Sequence, residues 1–420
     1  MKITLIHSYF AHGIHLGSLF VVMFLATRYG ENGLKTYGYY TLIASTAGFV
    51  STLLASRTGE AVTRFYTMYK SQSKVNMMAT VIRYGLVTDL IFATIVVSII
   101  FSTSSYVDQN ILKESSNRSA IIIYGFIAGI EILIGTPFSV FQSEYKFKII
   151  NNIRILRDIT GIGLVGVLFL GIGSRTVYGL ISAQLFSSML ALCLSIYFLY
   201  QILKTNRLNI IAKAHQGFFL KYLKYNFATF TSTMLKAGHK NLDKVVLGLI
   251  TNAEIVGLYQ VLHRFTFPVN FISAPFQMLY YPRIVELYSN AEKIKLLAFI
   301  NDIDLKLMKM WLLLLTPIVI LAPFAFIVLD IEWRNQYFVY LFLLMISALE
   351  ANLQWWARSL ANTINPMLSV WANGLASVLL FSMVLGMTYL WNLNGYIGGI
   401  LVLTTLMLVF WRIVLFRKLS

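Results

Sequence analysis

Cysteine is almost absent from this 420-residue chain. Its one copy, Cys193, sits within an apolar run, which excludes a disulfide framework and a cysteine-built metal cluster. Charge is scarce as well: 12% of residues are charged, against about a quarter in an ordinary soluble chain. Acidic residues are the rarer sign, 17 Asp plus Glu against 34 Lys plus Arg, for a net charge of +17. The sequence contains no G-x-x-x-x-G-K-[ST], H-E-x-x-H or C-x-x-C. A built-in nucleotide-driven pump, a zinc hydrolase and a dithiol redox centre are therefore not expected. No polar stretch is long enough to hold a soluble domain. The largest inside connection runs over 201–224 and the longest outside one over 102–119. The expectation is a protein that is not an enzyme and needs no cofactor or metal.

What the chain has is apolar length. Hydrophobic residues make up 58% of it, and the mean hydropathy is +0.71. Twelve apolar windows of about twenty residues, enough to cross a bilayer, fall between 3–27 and 395–416. The alternating ten-residue pattern of a membrane β-barrel is missing. The first window, broken by His7, His12 and His15, reads as a permanent helix rather than a cleavable signal. Those histidines read as polar lining of an interhelical gap. Assigning the connections alternately to two sides places 24 basic residues on one and 6 on the other. By the positive-inside rule both termini are then cytoplasmic. Most of the net charge is thus topological, matched by anionic inner-leaflet lipids, and no nucleic-acid partner is implied.

The second and eighth windows share a pattern. Gly38, Tyr40 and Arg64 align with Gly257, Tyr259 and Arg283 at the same offsets. Six windows separate the copies, so they have one orientation. The expected fold is an all-α integral membrane protein of about 12 transmembrane helices in two six-helix lobes, related by a pseudo-two-fold axis along the membrane normal. Its parts are an N-terminal lobe at 1–200, a basic cytoplasmic linker at 201–224 and a C-terminal lobe at 225–420.

One segment breaks the separation of charge from apolar runs: LKAGHKNLDKVVLGLI, residues 235–250. On a helix, Lys236, His239, Lys240, Asp243 and Lys244 fall on one face. A lysine at a bilayer centre costs roughly 2.5–3.5 kcal/mol, so three facing lipid would approach the net stability of a whole protein. The face is expected to line a wet cavity or to form an ion network through Asp243. Arg264 on the next helix is a partner for Asp243 or for an anionic ligand. Pro268 and Pro275 there remove backbone donors, giving either a hinge or a static bend. Arg57, with Glu60, closes the second helix in a surface ion pair or a cavity role. Asp89, Glu131 and Glu350 are carboxylates inside apolar windows and candidates for carrying protons.

These residues carry a resemblance. The block from Asn241 to Tyr288, with Asp243, Gly248, Gly257, Tyr259, Pro268 or Pro275, Pro282 and Arg283, resembles the seventh and eighth helices of Wzx-type O-antigen and polysaccharide repeat-unit flippases. These belong to the multidrug/oligosaccharidyl-lipid/polysaccharide exporter superfamily. The block YGYYTLIASTAGFVSTLLASRTGEAVTRFY resembles the second helix of the same family. The resemblance implies translocation of an undecaprenyl-diphosphate-linked oligosaccharide across the bacterial inner membrane by alternating access. It also implies work beside a polysaccharide polymerase and export machinery. A diphosphate needs cations inside a cavity, which Lys236, Lys240, Lys244, Arg264 and Arg57 would supply. Asp243, Glu131 and Asp89 are then the ion-coupling candidates, with Pro268 and Pro275 as hinges. A multidrug or cation antiporter and a peptidoglycan lipid-precursor flippase are the alternatives within the superfamily. The sugar and the coupling ion are not legible.

Overall fold

A computed structural model describes residues 2–54, 58–114, 116–209, 218, 220, 222, 242–269, 284, 287–288, 292–364 and 366–419. The chain forms two compact units, Met1–Leu242 and Asp243–Ser420. The regular structure described is helical throughout. In a bilayer only helices or closed barrels satisfy every backbone donor and acceptor. Six described helices are long and apolar enough to cross a membrane.

The first unit contains α1 (Lys2–Tyr29), α2 (Leu34–Leu54), α3 (Thr58–Ser71), α4 (Val75–Tyr106) and α5 (Arg118–Leu133), then α6 (Gly135–Ser143), α7 (Phe147–Gly166) and α8 (Val177–Thr205). Wider π turns extend α4 to Leu112 and α7 to Gly171. Between α5 and α6 the span breaks at Ile134, and Pro137 follows in the first turn of α6, where a missing N–H is tolerated. Helices approach closely at Gly85: a Cβ there would lie 2.7 Å from a Val62 methyl and 2.6 Å from Thr136 Oγ1. Small residues let membrane helices approach in this way. Outward-facing Leu90, Ile91, Phe101 and Phe186 are each more than half exposed, as befits lipid-facing side chains.

Two boundaries differ from the sequence reading. The fifth span starts at Phe147 rather than 158, so Arg154 and Arg157, assigned to an inside connection, sit within a helix. Asn151, Arg154 and Asp158 recur at helical spacing and depress local hydropathy although the segment crosses the lobe. The ninth likewise begins at Lys293 rather than 307. Within the expected linker, Phe218 and Tyr222 are buried in the first unit's core. Phe218 packs edge-on to Phe65 at 5.0 Å, and Tyr222 lies 5.9 Å from Tyr84.

The second unit contains α9 (Leu242–Ile250), α10 (Ala253–Arg264), α11 (Lys293–Val328), α12 (Gln336–Asn352), α13 (Ala357–Ile364), α14 (Pro366–Leu379) and α15 (Leu385–Leu419). A π turn over Leu380–Val384 joins α14 to α15. The path turns within α15 at Trp391 and Asn392, where Asn392 takes a φ of 49°. Asparagine is among the few residues that adopt the left-handed region readily. Asn252 caps α10, its side chain accepting from the Ile255 N–H at 2.9 Å.

Candidate functional site: an ionic cavity in the first unit

Helices α1, α2, α5, α7 and α8 pack around a cavity of about 320 Å³. The ionic residues in its wall share one level. At about 1.5 Å per residue, His15 on α1 and Arg157 on α7 lie near the midpoints of their helices, and Glu131 near the midpoint of the span Arg118–Ser143 that α5 and α6 form together. Arg157 Nη1 donates to Glu131 Oε1 at 2.6 Å, and its Nε lies 3.4 Å from Asp158 Oδ1. The other oxygen of Asp158 is 3.0 Å from His15 Nδ1. Arg154, one turn earlier on α7, lays its guanidinium over the Phe138 ring at 5.6 Å. It is within electrostatic reach of Arg157, Glu131 and Asp158.

A second polar layer lies towards one mouth of the lobe. Tyr40 donates to Gln184 Oε1 at 2.8 Å, and Gln184 Nε2 donates to Tyr124 at 3.2 Å. All three residues are about 9–10 Å from the starts of their helices, which lie on one side. Charge in the middle and neutral hydrogen-bonding groups at one end give the lobe a polar interior.

The expected site residues scatter. Glu131 is in the cavity wall, partnered by Arg157. Asp89 does not line the cavity. It is 2% exposed and accepts the Thr136 N–H at 2.9 Å, so it holds the start of α6. Lys244 is half-buried on α9. Arg264, buried at the end of α10, covers the Phe267 ring at 4.7 Å. His263 lies between their fields, stacked on Tyr259 at 5.5 Å. Pro268 is half-buried just beyond α10. Arg57, Lys236, Lys240 and Pro275 lie outside the described residues, as does the side chain of Asp243. Glu350 accepts from Thr404 at 2.6 Å and Thr405 at 2.8 Å.

Sequence reasoning missed Arg154, Arg157 and Asp158, which it spent on loop-charge counting or left at a span edge. The available signal was their i, i+3, i+4 spacing beside Asn151, which marks one polar helix face.

Residues 8–288 match the family model described as polysaccharide biosynthesis protein. The chain belongs to that family. No curated protein matches it in sequence. Solved structures share the fold of this family member at low identity. An inward-facing multidrug resistance MATE transporter of the MOP superfamily aligns with a TM-score of 0.74 at 12% identity, covering 96% of this chain and 95% of that one. The lipid II flippase MurJ, in an inward closed conformation, aligns at 0.71 and 14%, covering 98% and 87%. The Vibrio cholerae MATE transporter VcmN, as a mutant, aligns at 0.68 and 12%, covering 99% and 95%. This family member is therefore an all-α, multi-pass membrane protein with the fold of about twelve spans in two lobes. The solved structures that share this fold are those of transporters and a flippase.

Proposed function

We propose that this chain is a flippase for an undecaprenyl-diphosphate-linked oligosaccharide, an O-antigen or other surface-polysaccharide repeat unit. It moves the substrate from the cytoplasmic to the outer leaflet of a bacterial inner membrane by alternating access, with both termini cytoplasmic. The observation that carries this reading is the ionic cavity at mid-span in a member of the polysaccharide biosynthesis family. A lipid-linked saccharide has a polar head that must pass the hydrocarbon region. The passage needs a wet, hydrogen-bonding interior with cations for the diphosphate. Lys236, Lys240, Lys244 and Arg264 are the cations assigned to that head. Asp243 is a coupling group, and Pro268 and Pro275 are hinges for lobe motion. A polymerase acting on the outer leaflet would consume the product.

The test is to delete the gene and identify the lipid-linked oligosaccharide on the cytoplasmic face. Accumulation of an undecaprenyl-diphosphate repeat unit supports the reading. Accumulation of a peptidoglycan precursor, or of no lipid-linked sugar, overturns it. Lys236→Ala, Lys240→Ala and Arg264→Ala should each cripple export while the protein still inserts, and full export by all three removes the assigned site.

A further inference from the structure

Three helices present one pattern to the cavity of the first lobe. On α2 Tyr40 is followed at four-residue steps by Ala44 and Gly48, on α5 Tyr124 by Ala128, and on α8 Gln184 by Ser188. Residues four apart share a helix face, so each large polar head has a small residue one turn deeper. The heads are tied together: Tyr40 donates to Gln184, and Gln184 to Tyr124. Tyr37, 1% exposed, backs the Tyr40 ring at 6.5 Å. A layer held in this way loses little conformational freedom when a ligand arrives.

The layer has hydrogen-bonding capacity left over. A glutamine amide has two N–H donors and an oxygen with two lone pairs, and Gln184 uses one of each on the tyrosines. Ser188 is 1% exposed and lines the cavity, and its hydroxyl has no hydrogen-bond partner among the described residues. A buried hydroxyl without a partner is costly, so Ser188 is the group that points to a ligand. The charged groups deeper in the wall are spent on one another. Two carboxylates, Glu131 and Asp158, face one guanidinium, Arg157, that bonds to both. Even with His15 protonated, the lining carries no surplus positive charge, so the cavity suits a sugar better than a diphosphate.

We propose that Gln184 and Ser188, with the rings of Tyr40 and Tyr124, hold an uncharged pyranose in the first lobe. The inference rests on the flippase reading for its ligand class. A pyranose matches what the layer offers: its hydroxyls both donate and accept, and the C–H groups of a ring face pack on an aromatic side chain. At about 320 Å³ the cavity is at the small end of ligand sites, which fits a single ring better than a whole oligosaccharide.

Saturation-transfer NMR on the full chain in lipid nanodiscs, with methyl glycosides as probes, tests this. Methyl glucoside, galactoside and N-acetylglucosaminide are the uncharged probes. Methyl glucuronide and methyl glucosaminide repeat the ring with a negative and a positive charge at about pH 6. An uncharged probe should bind saturably with a Kd of about 1–10 mM, the strength of a few neutral hydrogen bonds. Both charged rings should bind about fivefold weaker or worse, since the wall has no unspent partner for their charge. Gln184→Ala should weaken binding about tenfold and Ser188→Ala about threefold. Ser188→Ala is the decisive variant. It removes no bond to a described residue, so it should unfold no earlier than the wild type, and a purely structural serine would leave binding unchanged. Phe186→Leu, on the exposed side of α8, should bind as the wild type does. Absence of saturable binding by all three uncharged probes overturns the proposal. So does binding that neither Gln184→Ala nor Ser188→Ala weakens, or a charged ring that binds as tightly as the best uncharged one. The flippase reading is judged separately. If the gene deletion accumulates no lipid-linked sugar while the glycosides bind as stated, that reading fails and the pyranose site stands. If a diphosphate-linked repeat unit accumulates and no glycoside binds, the site alone fails.

Discussion

Arg157, near the middle of α7, meets Glu131, near the end of α5, at 2.6 Å, and Asp158 approaches the same guanidinium from α7 as well. Two carboxylates share one cation in the cavity wall. Removing that cation leaves both without it. Arg157→Ala should cost about 1–3 kcal/mol of stability, below the figure for a fully buried pair because Glu131 is partly exposed. Adding Glu131→Gln and Asp158→Asn should recover much of the loss. Thermal unfolding of the single, double and triple variants in detergent checks this, and an additive result would show that the three residues do not act as a unit.

Asp89 has a job that needs an acceptor oxygen more than a charge. It receives the Thr136 N–H where α6 begins, as an N-cap side chain does. Asp89→Ala should destabilise by about 1–2 kcal/mol. Asp89→Asn, which keeps an acceptor, should lose less and still export repeat units. Loss of export in a stable Asn variant would return Asp89 to the coupling role.

In the second lobe, Asp304 is 5% exposed and accepts the Trp355 Nε1–H at 3.0 Å. It also pairs with Arg412, whose guanidinium lies 5.4 Å from the Trp356 ring. Asp304→Ala leaves an indole N–H and a mostly buried guanidinium without their acceptor. The expected loss is about 2–4 kcal/mol, with Asp304→Asn milder. Equal unfolding temperatures for wild type and Asp304→Ala would refute this.

Glu144, beyond the end of α6, gives a pH-dependent case. Burial works against its ionisation, but hydrogen bonds from Lys70 and Tyr66, both at 2.7 Å, outweigh that and hold its carboxyl below the usual range. A carboxyl lowered by folding contributes stability above its unfolded value. That contribution is lost as pH falls through the lowered folded value. The gap between wild type and Glu144→Gln, about 1 kcal/mol near neutrality, should therefore be constant down to about pH 4.5 and close below it. Chemical unfolding across that range measures it, and a gap that widens with acid would reverse the assigned sign.

How much was legible follows from what each property depends on. Apolar run length fixes membrane residence whatever the packing, because backbone groups in hydrocarbon must bond within the segment. Hydropathy and loop charge therefore sufficed for an all-α protein of about twelve spans. Glu131 was visible as a carboxylate in an apolar window, since a lone charge there is conspicuous. Arg154, Arg157 and Asp158 were not, because clustered polar residues lower the hydropathy that defines a span and so look like a loop. Only the packing of α1, α5 and α7 decided that these residues share one level with His15. Distances among residues more than a hundred positions apart arise when helices pack laterally, and helical periodicity gives the face of a residue but not what it meets.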